Sequence, residues 1–143
     1  MKNRLRRRLW LFAALVLAGA LLVPIRSLAQ TAVSTLLGTW NAATGDLAQV
    51  TVGGGPGAYT IDVKGRCTPT PCDWGTRPLT IYAPSAGTSV GKVGSATYNQ
   101  GFATRIVVVT AQDAVAPFLK VDVYTKFTGG GRSNYVLTQT FHP

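Results

Sequence analysis

The chain has 143 residues, with 14 Lys and Arg against five Asp and no Glu, a single His and two Cys. Six of those basic residues fall in the first 29 positions, so the other 114 residues carry eight basic side chains against the five acids, a net charge of +3. The eight are scattered singly from Lys64 to Arg132, with no run able to track a phosphate backbone, which argues against nucleic acid as a partner.

In chain order, the first element is a targeting segment. "MKNRLRRR" is a basic stretch, "LWLFAALVLAGALLV" (9–23) is an apolar run of 15 residues, and Ser27, Leu28 and Ala29 supply small residues before a cut at Gln30. Fifteen apolar residues fall short of the roughly 20 that a helix needs to cross a bilayer core. The reading is therefore a signal helix over 1–29, cleaved after Ala29, which sends the protein to the periplasm or out of the cell. Contact with a membrane is expected only through this segment if it stays uncleaved. Residues 30–35 follow as an extended arm, and 36–143 as a single β domain of a size that one core can support.

That domain is rich in Thr, Val, Gly, Ser and Tyr, which suit pleated sheets and turns and build helices poorly. Its strand-like runs are 36–42, 48–52, 58–65, 78–83, 95–103, 104–112, 116–128 and 134–141. In 58–65, Tyr59, Ile61 and Val63 alternate with Thr60, Asp62 and Lys64; in 116–128, Leu119, Val121 and Val123 alternate with Lys120, Asp122, Tyr124 and Lys126. The run Ile106–Val109 is apolar on both faces and reads as the most buried strand. Short connections between about eight strands predict an all-β antiparallel meander closed, or nearly closed, into a small barrel, with a two-sheet β-sandwich as the alternative. "GGGPG" (53–57) and "GGGRS" (129–133) lack the ending and the following helix of a phosphate loop, so they read as hairpin turns.

The stretch "GRCTPTPCDWGTR" (65–77) holds both cysteines. A thiolate metal site wants about four ligands, and the one histidine, His142, is far along the chain. A redox pair wants a two-residue spacer on a helix, whereas Cys67 and Cys72 enclose four residues, two of them prolines. The expectation is a Cys67–Cys72 disulfide that forms in an oxidising compartment and caps one end of the fold. Asp73 is read as capping backbone donors in a turn where Gly75 takes an unusual φ, with Arg66 and Arg77 near enough to pair with Asp73. Trp74 either plugs the end of the barrel or, with Tyr82, forms an exposed binding patch. No metal or other cofactor is expected.

Enzyme chemistry has little to draw on. A lone histidine gives no nucleophile–base pair. A carboxylate pair drawn from Asp46, Asp62, Asp73, Asp113 and Asp122 would have to come from residues that read as solvated strand faces or turns.

Two resemblances add to this. Gly-x-Cys with a Pro-Thr step and "CDWG", followed by "GFATR" (101–105) and "FTGGGRSNY" (127–135), resembles small exported bacterial β domains of uncharacterised role, over nearly all of the chain after the leader. "GTWN" (38–41) resembles the opening Gly-x-Trp of the calycins, the group of lipocalins, avidins and a bacterial metalloprotease inhibitor. The calycin resemblance implies a barrel-end pair in which a late arginine packs on Trp40, with Arg132 the first candidate and Arg105 the second. The functional expectation is a secreted, non-enzymatic binding module for a glycan, small molecule or protein in the periplasm or outside the cell. A calycin-type inhibitor of extracellular proteases and a structural envelope protein are the alternatives.

Overall fold

The computed structural model describes residues 33–112 and 115–143, and all regular structure in them is β. The leader 1–29, the start of the arm and Asp113 lie outside the described residues.

A four-stranded antiparallel sheet is built from β2 (Gly38–Asn41), β3 (Leu47–Gly53), β4 (Thr60–Gly65) and β5 (Cys72–Pro78), in that spatial order. A five-stranded antiparallel sheet has β6 (Thr80–Tyr82), β8 (Val93–Asn99), β9 (Ala103–Gln112), β10 (Phe118–Phe127) and β11 (Tyr135–Phe141), ordered β11-β10-β9-β8-β6. A short parallel pair, β1 (Val33–Ser34) with β7 (Val90–Gly91), stands beside them. Hairpin-length connections favour this neighbour-on-neighbour pairing.

The core lies between the two sheets and follows the period of two. Val50 and Val52 of β3, Ile61 and Val63 of β4, Val107 and Val109 of β9, and Leu119, Val121 and Val123 of β10 are all buried. Tyr98 on β8 crosses that core to donate its hydroxyl to Ile61 O at 3.0 Å, tying one sheet to the other. A buried polar tip needs such a partner, because an unpaired buried hydroxyl costs about 1–3 kcal/mol.

The sheets stay open, so the expected barrel gives way to a sandwich. On one side the chain steps from β5 to β6 through the single buried residue Leu79, whose N–H bonds to Tyr59 O at 2.9 Å. On the other side β2 and β11 meet only at one bridge, where Asn41 and His142 exchange backbone bonds of 2.7 and 2.9 Å. A step and a single bridge do not make a continuous ladder. The number of strands also exceeds the expected eight, through β5 and the two-residue β1 and β7.

β9 corrects another expectation. It is the central strand of its sheet, yet Ile106 is 45% exposed, because the outer face of the sheet is uncovered. Odd positions Ala103, Val107 and Val109 point inward, and by the alternation of a strand so does Arg105.

Candidate functional site

The segment 65–77 builds one end of the sandwich. Cys67 and Cys72 are at disulfide distance, with Cα atoms 5.4 Å apart, across the hairpin that joins β4 to β5. Cys72 opens β5 and pairs with Gly65, so the bridge closes the hairpin at its base. The six-residue ring contributes about 2 kcal/mol on the chain-entropy estimate.

The residues after the bridge form a β-bulge inside β5 rather than a free turn. Lys64 pairs with Asp73 and Asp62 with Thr76, so Trp74 and Gly75 together oppose the single residue Val63. Gly75 takes a φ of +77°, and its N–H bonds to Asp73 Oδ1 at 2.7 Å. This is the local chemistry expected of "DWG", used to insert one extra residue. The insertion resets the alternation, so that Asp73 and Thr76 face solvent while Cys72, Trp74 and Arg77 face the other sheet. Gly65 leaves space for the indole: a Cβ there would lie 3.1 Å from Trp74 Nε1.

Trp74 ends half-buried against the core, between the two roles expected of it. Its edge meets Tyr98, with ring centroids 5.8 Å apart and planes at 74°. The guanidinium of Arg105, from β9 of the opposite sheet, lies 4.5 Å over its face and 5.4 Å from the exposed ring of Phe102. Arg77 lies 5.8 Å over Tyr98. Burial, followed by the charge of Asp62, pushes the Tyr98 phenol well above its ordinary value, with Arg77 opposing.

Trp74 and Arg105 stand at a cavity of about 180 Å³ between the sheets. Leu47, Val123 and Leu137 give it apolar walls, the disulfide forms part of its rim, and Arg66, Arg105 and Asp46 carry its charge. Arg66 is spoken for: Nε donates to Gly45 O at 3.1 Å and Nη2 to Ala42 O at 2.7 Å. Arg105 has no hydrogen bond or ion pair among the described residues, its only neighbours of note being the two rings. Beside it in register sits Thr125, 2% exposed, whose hydroxyl also has no partner.

The other expected site residues fall elsewhere. Neither Arg66 nor Arg77 pairs with Asp73: Arg66 is held by carbonyls, and Arg77 donates to Thr76 O while stacking on Tyr98. Tyr82 is exposed on β6, 3.2 Å from Ser95 Oγ, and makes no ring contact with Trp74. Trp40 is 7% exposed and donates its indole N–H to Leu36 O at 2.9 Å. Arg132 lies 5.4 Å over Phe127, in the loop before β11, and not on Trp40. The tryptophan that does carry an arginine is Trp74, and the arginine is Arg105.

Of the aspartates, Asp62 and Asp122 occupy the outward positions of β4 and β10, on opposite outer surfaces of the sandwich. Burial alone would raise the Asp122 carboxyl, but bonds from Thr138 and Lys120, and the Lys120 charge, outweigh it and hold the group below its ordinary value. Among the described residues, no group of three or more His, Cys, Asp or Glu comes together. Sequence reasoning missed that Arg105 faces inward next to Trp74, because the neighbouring run Ile106–Val109 is apolar at both parities and does not show which face is inward. In comparisons with family models, with curated proteins and with solved structures, nothing matches this chain.

Proposed function

We propose that the protein is an exported, non-enzymatic binding module whose ligand site is the mouth between the sheets at the disulfide end. The observation that carries this reading is the guanidinium of Arg105 stacked 4.5 Å over Trp74 at the rim of an open cavity. A stacked arginine keeps its donors in a fixed plane, and an aromatic face with a polar neighbour is the usual anchor of a recognition site. The disulfide and the bulge hold Trp74 in place before any ligand arrives, which lowers the ordering cost of binding. Export is read from the leader, and the disulfide fits that route.

Trp74 is its own reporter. Titration of the oxidised protein with a panel of glycan fragments, short peptides and small organic acids should change tryptophan emission saturably for at least one class. Trp74→Ala should abolish the response and leave the signal of buried Trp40 in place. If no class moves the emission or the melting temperature of the wild-type protein, the binding-module reading fails.

A further inference from the structure

We infer that the mouth takes a carboxylate carried on a compact apolar body, with Arg105 as the partner of the carboxylate; this rests on the binding reading above. The argument begins with placement. Arg105 occupies a core-facing position of a central strand, where the flanking inward residues Ala103, Val107 and Val109 are buried and apolar. An arginine at such a position is normally matched to an acid, since partly buried charges are paired or hydrogen-bonded. Here neither an acid nor a carbonyl is bonded to it, and its stacking on Trp74 leaves the planar edge of the guanidinium, with its five donors, free.

The lining then narrows the ligand. With Arg66 and Arg105 against Asp46, the walls carry a net positive charge, and the rest of the surface is chiefly apolar. The cavity, at about 180 Å³, is smaller than the about 300–1,000 Å³ typical of sites for drug-sized ligands. It admits one small ring or one side chain, not a run of sugars. A guanidinium edge matches a carboxylate with two parallel N–H···O bonds. The chemistry is shared by two sources: a free organic acid, and the terminal carboxylate of a polypeptide ending in an apolar residue.

Four probes separate these cases: phenylacetate, phenylacetamide, N-acetyl-alanyl-leucine and its C-terminal amide. Each is titrated into the oxidised protein, with tryptophan emission and calorimetry as readouts. The inference expects at least one acid to bind saturably and its amide to bind about tenfold more weakly or worse, in line with the loss of a charge-assisted pair. Arg105→Gln should bring the acid down to the level of its amide. Arg105→Lys should recover only part of the affinity, because the ammonium lacks the planar fork. Circular dichroism of both variants checks that the fold persists. Response to phenylacetate alone assigns the site to free acids, and response to the dipeptide alone assigns it to chain ends. Equal binding of acid and amide, or unchanged acid binding in Arg105→Gln, overturns the inference. Silence from all four probes overturns it as well, while a glycan response in the broader panel would leave the binding-module reading standing.

Discussion

Trp40, on the edge strand β2, is buried and spends its indole N–H on Leu36 O at 2.9 Å, whereas Trp74, on the opposite edge strand β5, is half-buried with a cation 4.5 Å over its face. The two residues are the same chemical group at two edges of one sheet. Trp40 is saturated: its polar atom has a backbone partner and its ring is enclosed by core. Trp74 is held just as firmly, by a disulfide-closed hairpin and a bulge, but what lies against it is a guanidinium with donors to spare. A ring whose surroundings are complete serves the fold, while a ring beside a cation with unused donors is the arrangement on which the proposed binding site rests.

The comparison can be broken by mutation. Trp40→Ala should have the largest effect, a loss of about 3–5 kcal/mol in urea unfolding, a large part of the whole stability of a small domain. A loss comparable to that of a surface substitution would remove Trp40 from the core argument. Joint replacement of Cys67 and Cys72 by serine should cost about 2 kcal/mol and should disturb Trp74, not Trp40, as read by tryptophan indole resonances in NMR. Equal disturbance of both rings would mean that the clip stabilises the domain at large and does not position the mouth.

Tyr98→Phe should have the smallest effect at neutral pH, about 0.5–1.5 kcal/mol for the lost bond to Ile61 O. Its pH dependence is more telling. Because the folded protein raises the phenol above its unfolded value of about 10, the contribution is complete below about pH 10 and is lost as pH rises beyond it. Wild-type stability should therefore fall on the alkaline side, and the fall should be shallower in Tyr98→Phe. Parallel urea midpoints for the two proteins between neutral and strongly alkaline pH would refute the buried position of that hydroxyl.

Much of this architecture is legible in the sequence alone. The alternation through Tyr59, Ile61 and Val63, and through Leu119, Val121 and Val123, named the inward faces of β4 and β10, because a half-buried strand writes its register as a period of two. "CDWG" announced the Asp73–Gly75 contact, because that chemistry is local. What stayed hidden depends on partners distant in the chain. A run of four apolar residues, Ile106–Val109, conceals its own parity, so the inward turn of Arg105 emerged only once β8 and β10 were placed on either side. The same holds for closure. Strand count and turn length are compatible with a barrel or a sandwich, and the choice was made by how few bonds join β2 to β11.

That seam has a kinetic consequence. Besides the Asn41–His142 bridge, it is held by the Gln139 side chain, which accepts from Leu47 N at 3.1 Å and donates to Leu47 O and Thr44 O at 2.7 Å, across 92 and 95 positions of sequence. Contacts of such span form slowly, since the intervening chain must be ordered or looped out before they are made. Tyr98 and Leu79 can join the two sheets earlier, but this seam closes only after the final strand has arrived.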